Sequence, residues 1–375
     1  MKEKAYLIIG GILIGVISVT LVLLGNPTNM GFCIACFLRD MAGALKLHSS
    51  SAVRYLRPEV IGLILGSTVL SIARREFRPR GGSAPITRFV LGFWVMIGAL
   101  VFLGCPLRMI LRLAAGDLNA VLGLLGFIFG IGVGVVFLQK GFSLGRTYRQ
   151  PKLEGAALPV VQLVLLFVLL AVPGALALSE SGPGSMHAPV LISLAAGLVV
   201  GAVAQRTRLC MAGGIRDAML FRDWTLLSGF AAILVSALVM NLVFGKFNPG
   251  FDGQPIAHTD GLWNFLGMAL VGFGSVLLGG CPLRQLIMAG EGNSDSAITV
   301  LGFIAGAAFA HNFGLASSVE GATTGGKAAV VIGLLVCAII AVYCTFFKGG
   351  LKSENRRQGT VMSGAGNSAA PGTGK

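Results

Sequence analysis

The stretch that decides the fold occurs twice. Residues 104–108 read Gly-Cys-Pro-Leu-Arg, and residues 280–284 read the same five residues again. The likeness continues without a gap, since Gly-Phe-Ile-Phe-Gly at 126–130 falls opposite Gly-Phe-Ile-Ala-Gly at 302–306. A likeness this long at one constant offset indicates an internal duplication, in which each half carries the same structural unit.

Composition places the chain in a membrane. Of its 375 residues, 55% are hydrophobic and 12% are charged, and the mean hydropathy is +0.83. Many apolar runs reach the roughly 20 residues that a helix needs to cross a bilayer. The net charge of +14 comes from Lys and Arg that lie beside these runs, where such residues set orientation. Nucleic acid is therefore not an expected partner.

The apolar runs predict an all-α polytopic membrane protein with ten spans, five in each half. An odd number of spans per half gives the two halves opposite orientations in the membrane. The predicted units are a first transmembrane repeat at 1–178, a second, inverted repeat at 179–347 and a disordered cytoplasmic tail at 348–375. The predicted spans are 5–24, 58–73, 89–103, 119–138, 158–178, 189–204, 224–244, 262–278, 297–313 and 328–347, with short helices at 37–47, 107–115 and 283–289.

The distribution of Lys and Arg predicts that both termini are cytoplasmic. Basic loops at 74–88, 140–152 and 206–222 fall on the side of the N-terminus, whereas the loop at 179–187 has no Lys or Arg. The exception is 26–57, which carries basic residues on the outer side. We expect this stretch to fold back into the membrane.

A second pattern lies upstream of the pentapeptide in each half. Cysteine is followed six positions later by Arg-Asp, which gives Cys33, Arg39 and Asp40 in the first half and Cys210, Arg216 and Asp217 in the second. A charged side chain inside a membrane needs a partner or a water-filled path. We therefore expect two structural ion pairs, Arg39 with Asp40 and Arg216 with Asp217.

The repeated Cys-Pro step predicts short helices that begin inside the membrane. Pro106 and Pro282 suit the first position of a helix, which makes Cys105 and Cys281 the capping residues. About ten helical residues span roughly 15 Å, half a membrane. We expect the two half-helices to enter from opposite sides and to bring both cysteines near the midplane. Matching interrupted segments in inverted repeats are typical of a transporter site.

These half-helices favour an anion as the ligand. The first N–H groups of a helix have no partner within the helix and carry a partial positive charge, which attracts anions. Arg108 and Arg284 stand three residues after the capping cysteines and have no acid beside them in the sequence. We expect both to make the path attractive to a negative ion.

At this point the motifs resemble the YeeE/YedE family of inner-membrane sulfur-compound transporters. The likeness covers residues from about 5 to 347. It rests on the paired pentapeptide, on Gly-Phe-Cys at 31–33 and on Leu-Cys-Met-Ala-Gly-Gly-Ile-Arg-Asp at 209–217. The long two-repeat form with its Arg-Asp segments looks like the YedE branch, which is linked to selenium metabolism.

The resemblance implies uptake of a small sulfur- or selenium-containing anion such as thiosulfate, passed along a central path lined by cysteines. It also implies the inner (cytoplasmic) membrane of a bacterium. Carried over residue by residue, contact with the ion falls to Cys33, Cys105 and Cys281, and the repeat adds Cys210. With Arg108 and Arg284, these cysteines form the candidate substrate-binding set.

Two other functions stay open on the sequence alone. Four cysteines near the midplane could hold Cu(I) or Zn, as in a soft-metal transporter. Cys33 and Cys36 have the spacing of a thiol–disulfide oxidoreductase, although the position that matches Cys36 is Gly213. Apart from these alternatives we expect no enzyme activity, no cofactor and no bound metal. The expected partners are the small anionic substrate, the lipid bilayer and, as a further candidate, a cytoplasmic sulfur- or selenium-carrier protein.

Overall fold

A computed structural model describes residues 2–347 of the chain and is almost entirely helical. The predicted tail at 348–375 lies outside the described residues. Two-residue strands, β1 Arg80–Gly81 and β2 Tyr148–Arg149, pair antiparallel and join two of the basic loops. The helices are α1 Lys2–Leu23, α2 Ile34–Ala44, α3 Pro58–Ala73, α4 Pro85–Phe102, α5 Pro106–Ala114, α6 Asn119–Gln139, α7 Lys152–Ala171, α8 Val190–Thr207, α9 Met211–Phe221, α10 Thr225–Val243, α11 Gly261–Leu278, α12 Pro282–Gly290, α13 Ser294–Asn312 and α14 Thr324–Val342.

The predicted all-α polytopic membrane fold is confirmed. Within the described residues, nine helical segments are long and apolar enough to cross a membrane, and two of them join a long helix to the short helix after the repeated Cys-Pro step. The one predicted span outside these nine segments, 58–73, corresponds to α3, an apolar helix of 16 residues. At 1.5 Å per residue α3 is roughly 24 Å long, a little shorter than the roughly 30 Å hydrocarbon core.

Several predicted helix boundaries were wrong by three or more residues, and for two helices the local chemistry explains the difference. Helix α2 begins at Ile34, three residues before the predicted start, because Cys33 caps it. Helix α7 runs Lys152–Ala171 rather than 158–178 and carries Pro159 inside it. It ends before Pro173, which begins a separate short turn and has no N–H to continue the helical hydrogen bonds.

The helices of the two halves pack against each other reciprocally. Helix α1 lies on α10 and α3 lies on α8, while α4 lies on α13 and α6 lies on α11. By their order in the repeat, α1, α3, α4 and α6 correspond to α8, α10, α11 and α13. Each contact therefore occurs twice with the halves exchanged, as two-fold-related units require. The opposite membrane orientation of the halves stays a prediction.

Glycine brings these paired helices into backbone contact. A Cβ atom on Gly126 or Gly130 of α6 would overlap the carbonyl oxygen of Phe265 or Ala269 in α11. A Cβ atom on Gly302 of α13 would likewise overlap a carbonyl oxygen of α4. Small residues at helix contacts are the usual way to pack helices in lipid, where apolar burial between helices adds little. The repeated Gly-Phe-Ile-x-Gly segment is thus explained by packing.

We predict that Gly130→Ala destabilises the protein. The added methyl group has to push α11 away, and overpacking of this kind costs about 1–3 kcal/mol. The matched control is Gly132→Ala in the same helix, where the new Cβ would meet only Met219 Cε at 4.0 Å. The melting temperature of the purified protein in detergent is the measurement. If Gly130→Ala melts at or above the temperature of Gly132→Ala, the close helix contact is not needed.

Candidate functional site

Four cysteines cap four short helices. Cys105 and Cys281 precede α5 and α12 in extended conformations, and each is followed by proline at the first helical position. Cys33 and Cys210 precede α2 and α9 with nearly equal backbone angles, φ −142° and ψ 105° against φ −153° and ψ 112°. Helix α9 was not predicted, because its Arg, Asp and two Gly residues interrupt the apolar pattern.

The thiol groups of Cys33 and Cys210 accept backbone hydrogen bonds from the helices that they cap. Cys36 N–H donates to Cys33 Sγ at 3.3 Å, and Gly213 N–H donates to Cys210 Sγ at 3.2 Å. The two halves therefore repeat this cap although one position holds Cys36 and the other Gly213. The N–H group, which any residue other than proline supplies, makes the contact.

The capped helices meet within each half. In the first half, Ile34 N–H of α2 donates to Cys105 Sγ at 3.3 Å. In the second half, Cys210 Sγ and Cys281 Sγ lie 3.9 Å apart. All these cysteines are buried and have free thiol groups. The structure thus brings the candidate cysteines together as two sites, Cys33 with Cys105 and Cys210 with Cys281.

Arg108 is fully buried in the first of these sites. Its guanidinium donates to the carbonyl oxygens of Asn29 and Ile256, each at 3.1 Å, and to that of Leu103. It also contacts Cys36 Sγ at 3.5 Å. Among the described ion pairs none includes Arg108, so its charge is stabilised by carbonyl dipoles and by the sulfur of Cys36. Cys36 was not predicted to lie beside this arginine, and its place in the first turn of α2 is the signal that could have shown it.

Arg284 has a different environment from its counterpart. Arg284 Nη1 donates to Glu291 Oε1 at 3.0 Å, and both side chains are partly exposed. Arg284 has no acid beside it in the sequence, but the fold gives it an acidic partner in space. Glu291 is seven residues away, and seven residues make almost two helical turns, so the two side chains share one face of α12. Residue 115, the counterpart of Glu291, is alanine.

The two Arg-Asp pairs differ in burial. Arg39 Nη2 lies 2.8 Å from Asp40 Oδ1, and Arg57 Nη2 lies 2.7 Å from Asp40 Oδ2, with all three side chains at most 3% exposed. Arg216 Nη2 lies 2.8 Å from Asp217 Oδ1, but these side chains are 31% and 21% exposed. One carboxylate thus holds two buried arginines in the first half, and Arg57 is a partner that sequence reasoning missed.

A metal centre has no obvious place among the described residues. No three His, Cys, Asp or Glu side chains between residues 2 and 347 are grouped closely enough to hold a metal ion. The four candidate cysteines are instead divided between two sites in the two halves.

We predict that Asp40→Asn strongly destabilises the protein, since it leaves two buried arginines with no carboxylate. Breaking a buried pair in this way costs about 3–5 kcal/mol. The matched control is Asp217→Asn, where solvent screens Arg216 and the expected loss is about 1 kcal/mol or less. The measurement is the fraction of membrane protein that remains monodisperse after heating. Equal losses in the two variants would contradict the assigned difference in burial.

Comparison with known proteins gives two findings. The family described as Sulphur transport matches residues 206–367 of the chain. The thiosulfate transporter TsuA of Escherichia coli (strain K12) is 30% identical over 120 residues, which make up 32% of this chain and 33% of that transporter. The aligned part is thus about a third of the relative's length. These two matches confirm the resemblance to the YeeE/YedE family of sulfur transporters that the sequence motifs indicate, and the family match itself is confined to residues 206–367.

Proposed function

We propose that the protein takes up a small sulfur- or selenium-containing anion such as thiosulfate across the cytoplasmic membrane. The observation that carries this proposal is the duplicated pair of buried cysteine sites, each at the N-terminal ends of two short helices with an arginine in the first turn. The match to the sulphur-transport family supports a substrate that contains sulfur. The similarity to a protein named as a thiosulfate transporter supports a small sulfur anion as the substrate class. No bond is made or broken in the substrate.

The short helices supply hydrogen-bond donors and positive charge that replace the hydration shell of an anion. Helix N-termini offer backbone N–H donors and a partial positive charge, and four such ends lie inside the protein at the candidate cysteines. Arg108 and Arg284 add full positive charges in the first turns of α5 and α12. A thiol group is a soft, polarisable partner, which suits the outer sulfur of thiosulfate or a selenium atom better than a hard oxygen would.

The proposed path runs through both halves of an inverted repeat. In this arrangement Cys33 and Cys105 receive the ion on the outer side, and Cys210 and Cys281 pass it to the cytoplasmic side. Both termini and the basic loops are then cytoplasmic, as the positive-inside rule requires. A cytoplasmic sulfur- or selenium-carrier protein is a candidate acceptor at the exit.

A thiol–disulfide oxidoreductase is the second candidate, because Cys36 lies in the first turn of the helix that Cys33 caps. Such chemistry needs both thiol groups, whereas transport uses Cys36 only through its backbone N–H. Replacing Cys36 by Ser keeps that N–H and an acceptor for Arg108. The variant therefore separates the two functions.

We predict that Cys105→Ser and Cys281→Ser each lower the initial uptake of labelled thiosulfate by roughly tenfold, the equivalent of about 1.4 kcal/mol. Ser keeps the size and the hydrogen-bonding group, so the cap survives and the soft thiol is lost. Cys33→Ser and Cys210→Ser should give intermediate losses. The measurement is uptake per inserted molecule, in cells that lack their own thiosulfate, selenite and selenate uptake systems.

The controls are Cys36→Ser and Cys337→Ser, which should transport at nearly the rate of the unchanged protein. Cys337 is buried within α14, away from the four short helices. If Cys36→Ser is as damaging as Cys105→Ser, the redox function replaces transport. If every variant is harmless, the cysteines only fill space.

A further inference from the structure

We propose that a cavity beside the second cysteine site is a binding vestibule for a small dianionic oxyanion. The cavity has a volume of 290 Å³ and is lined by Glu76, Arg78, Arg80, Gln205, Arg208, Arg284 and Glu291. This inference rests on the proposed function and adds to it a place where the anion is held outside the thiol pair. A volume of this size accommodates a small oxyanion together with several waters.

The charge of the lining favours an anion. Four arginines and two glutamates give a net charge of 4 − 2 = +2. Between residues 2 and 347, no ion pair and no side-chain hydrogen bond is made by the guanidinium groups of Arg78, Arg80 and Arg208. Three arginines without a hydrogen-bonded carboxylate around one cavity repel one another, and an anion between them reduces that repulsion.

The two carboxylates of the lining are already engaged. Glu76 accepts a hydrogen bond from Gln205 Nε2 at 2.8 Å and another from Arg74 Nε at 3.3 Å. Glu291 is the partner of Arg284. Glu76 also interacts electrostatically with Arg208. The two carboxylates therefore offset only part of the positive charge that faces the cavity.

The backbone fixes two of these arginines in place. Arg78 N–H donates to Glu291 O at 3.0 Å, and Arg80 N–H donates to Gly292 O at 3.3 Å, which holds their loop against the end of α12. Residues Arg80–Gly81 also form strand β1, paired with β2. The loop thus presents its arginines from a tethered backbone rather than from a free end.

Arg208 occupies a position where glycine would be expected. It ends α8 with φ 53° and ψ 33°, the left-handed region that strongly favours glycine at helix ends. Arg208 stands two residues before Cys210, and Arg284 stands three residues after Cys281. Through Arg208 and Arg284 the lining of the cavity is thus close in sequence to both members of the second thiol pair.

Glu291 acts in this arrangement as an internal competitor of the bound anion. Arg284 is partly exposed at the cavity and is held by the Glu291 carboxylate. An incoming dianion that contacts Arg284 has to displace that carboxylate. Removing the charge of Glu291 should therefore strengthen anion binding, whereas removing an arginine charge should weaken it.

The test measures thiosulfate binding to the purified full-length protein in a neutral detergent by titration calorimetry at low ionic strength. We expect the double variant Arg78→Gln with Arg208→Gln to bind about tenfold more weakly, on the scale of charge-assisted hydrogen bonds. Glu291→Gln should bind more tightly than the unchanged protein. The matched control removes two arginines that are equally exposed but do not line the cavity, Arg75→Gln with Arg146→Gln, and should leave affinity within a factor of about two.

Opposite shifts in the arginine and glutamate variants are the supporting result, since a loss of folding would weaken binding in both. Equal affinity in the cavity and control variants overturns the proposal. Sulfate is titrated as well. If sulfate binds to the cavity but labelled thiosulfate, selenite and selenate do not enter cells, the vestibule stands and the proposed function fails.

A second arm distinguishes a free anion from a lipid headgroup, since both carry the oxyanion chemistry. The thiosulfate titration is repeated in nanodiscs of neutral lipid and in nanodiscs that contain phosphatidylglycerol. Equal thiosulfate affinity in the two discs supports the vestibule. If phosphatidylglycerol competes with thiosulfate and the cavity variants abolish that competition while their uptake is normal, the cavity is a lipid site and the proposal is wrong.

Discussion

Four helices of this protein begin inside the helix bundle, and the first N–H groups of a helix have no partner within it. In a membrane, water is not available at such a place to satisfy these groups. The structure meets this constraint with cysteine at each helix start, and in α2 and α9 the cysteine sulfur accepts an N–H directly. The same ends also carry the partial positive charge of a helix N-terminus into the bundle. Capping and anion attraction are therefore two consequences of one local geometry.

The helix ends stay in place because the halves approach closely around them. Glycines at the α6–α11 and α4–α13 contacts let backbones touch, and α5 and α12 are continuations of the chain from α4 and α11. Buried ionic contacts add to this frame. Arg112 Nε of α5 lies 2.6 Å from Asp117 Oδ2 of the loop that follows, and both side chains are fully buried. The cysteines at the helix starts are thus held in position by the helices that they cap and by the packing of the other half of the protein.

The two halves have similar backbone structures, but their corresponding arginines differ in how accessible they are to solvent. Arg108 is enclosed by carbonyl groups, whereas its counterpart Arg284 meets a solvent-accessible cavity. If the halves lie in opposite orientations, this difference corresponds to a path that is closed on the outer side and open toward the cytoplasm. An uptake transporter has to visit such a state to release its substrate, and the opposite state then exchanges the roles of the two arginines.

The repeated motifs could be predicted from the sequence, whereas the contacts between residues distant in the sequence could not. The helices at the pentapeptides and the caps at Cys105 and Cys281 could be predicted because proline and glycine act locally. Helix α9 could not be predicted, because its polar and glycine residues interrupt the pattern of apolar residues that marks a helix. The ion pair of Arg57 with Asp40 joins residues that are 17 positions apart in the sequence. The cavity is lined by residues from both halves of the chain. No local pattern in a single sequence encodes such neighbours.

The most direct test of the central claim is the alkylation rate of each cysteine, measured by mass spectrometry on the purified protein with and without thiosulfate. Sulfate at equal ionic strength is the reference, and a small neutral alkylating reagent is used so that charge does not bias access. The account predicts that thiosulfate slows alkylation of Cys105 and Cys281 and leaves Cys337 unchanged. Unchanged rates at Cys105 and Cys281 at saturating thiosulfate would contradict a path for the anion along the capping cysteines.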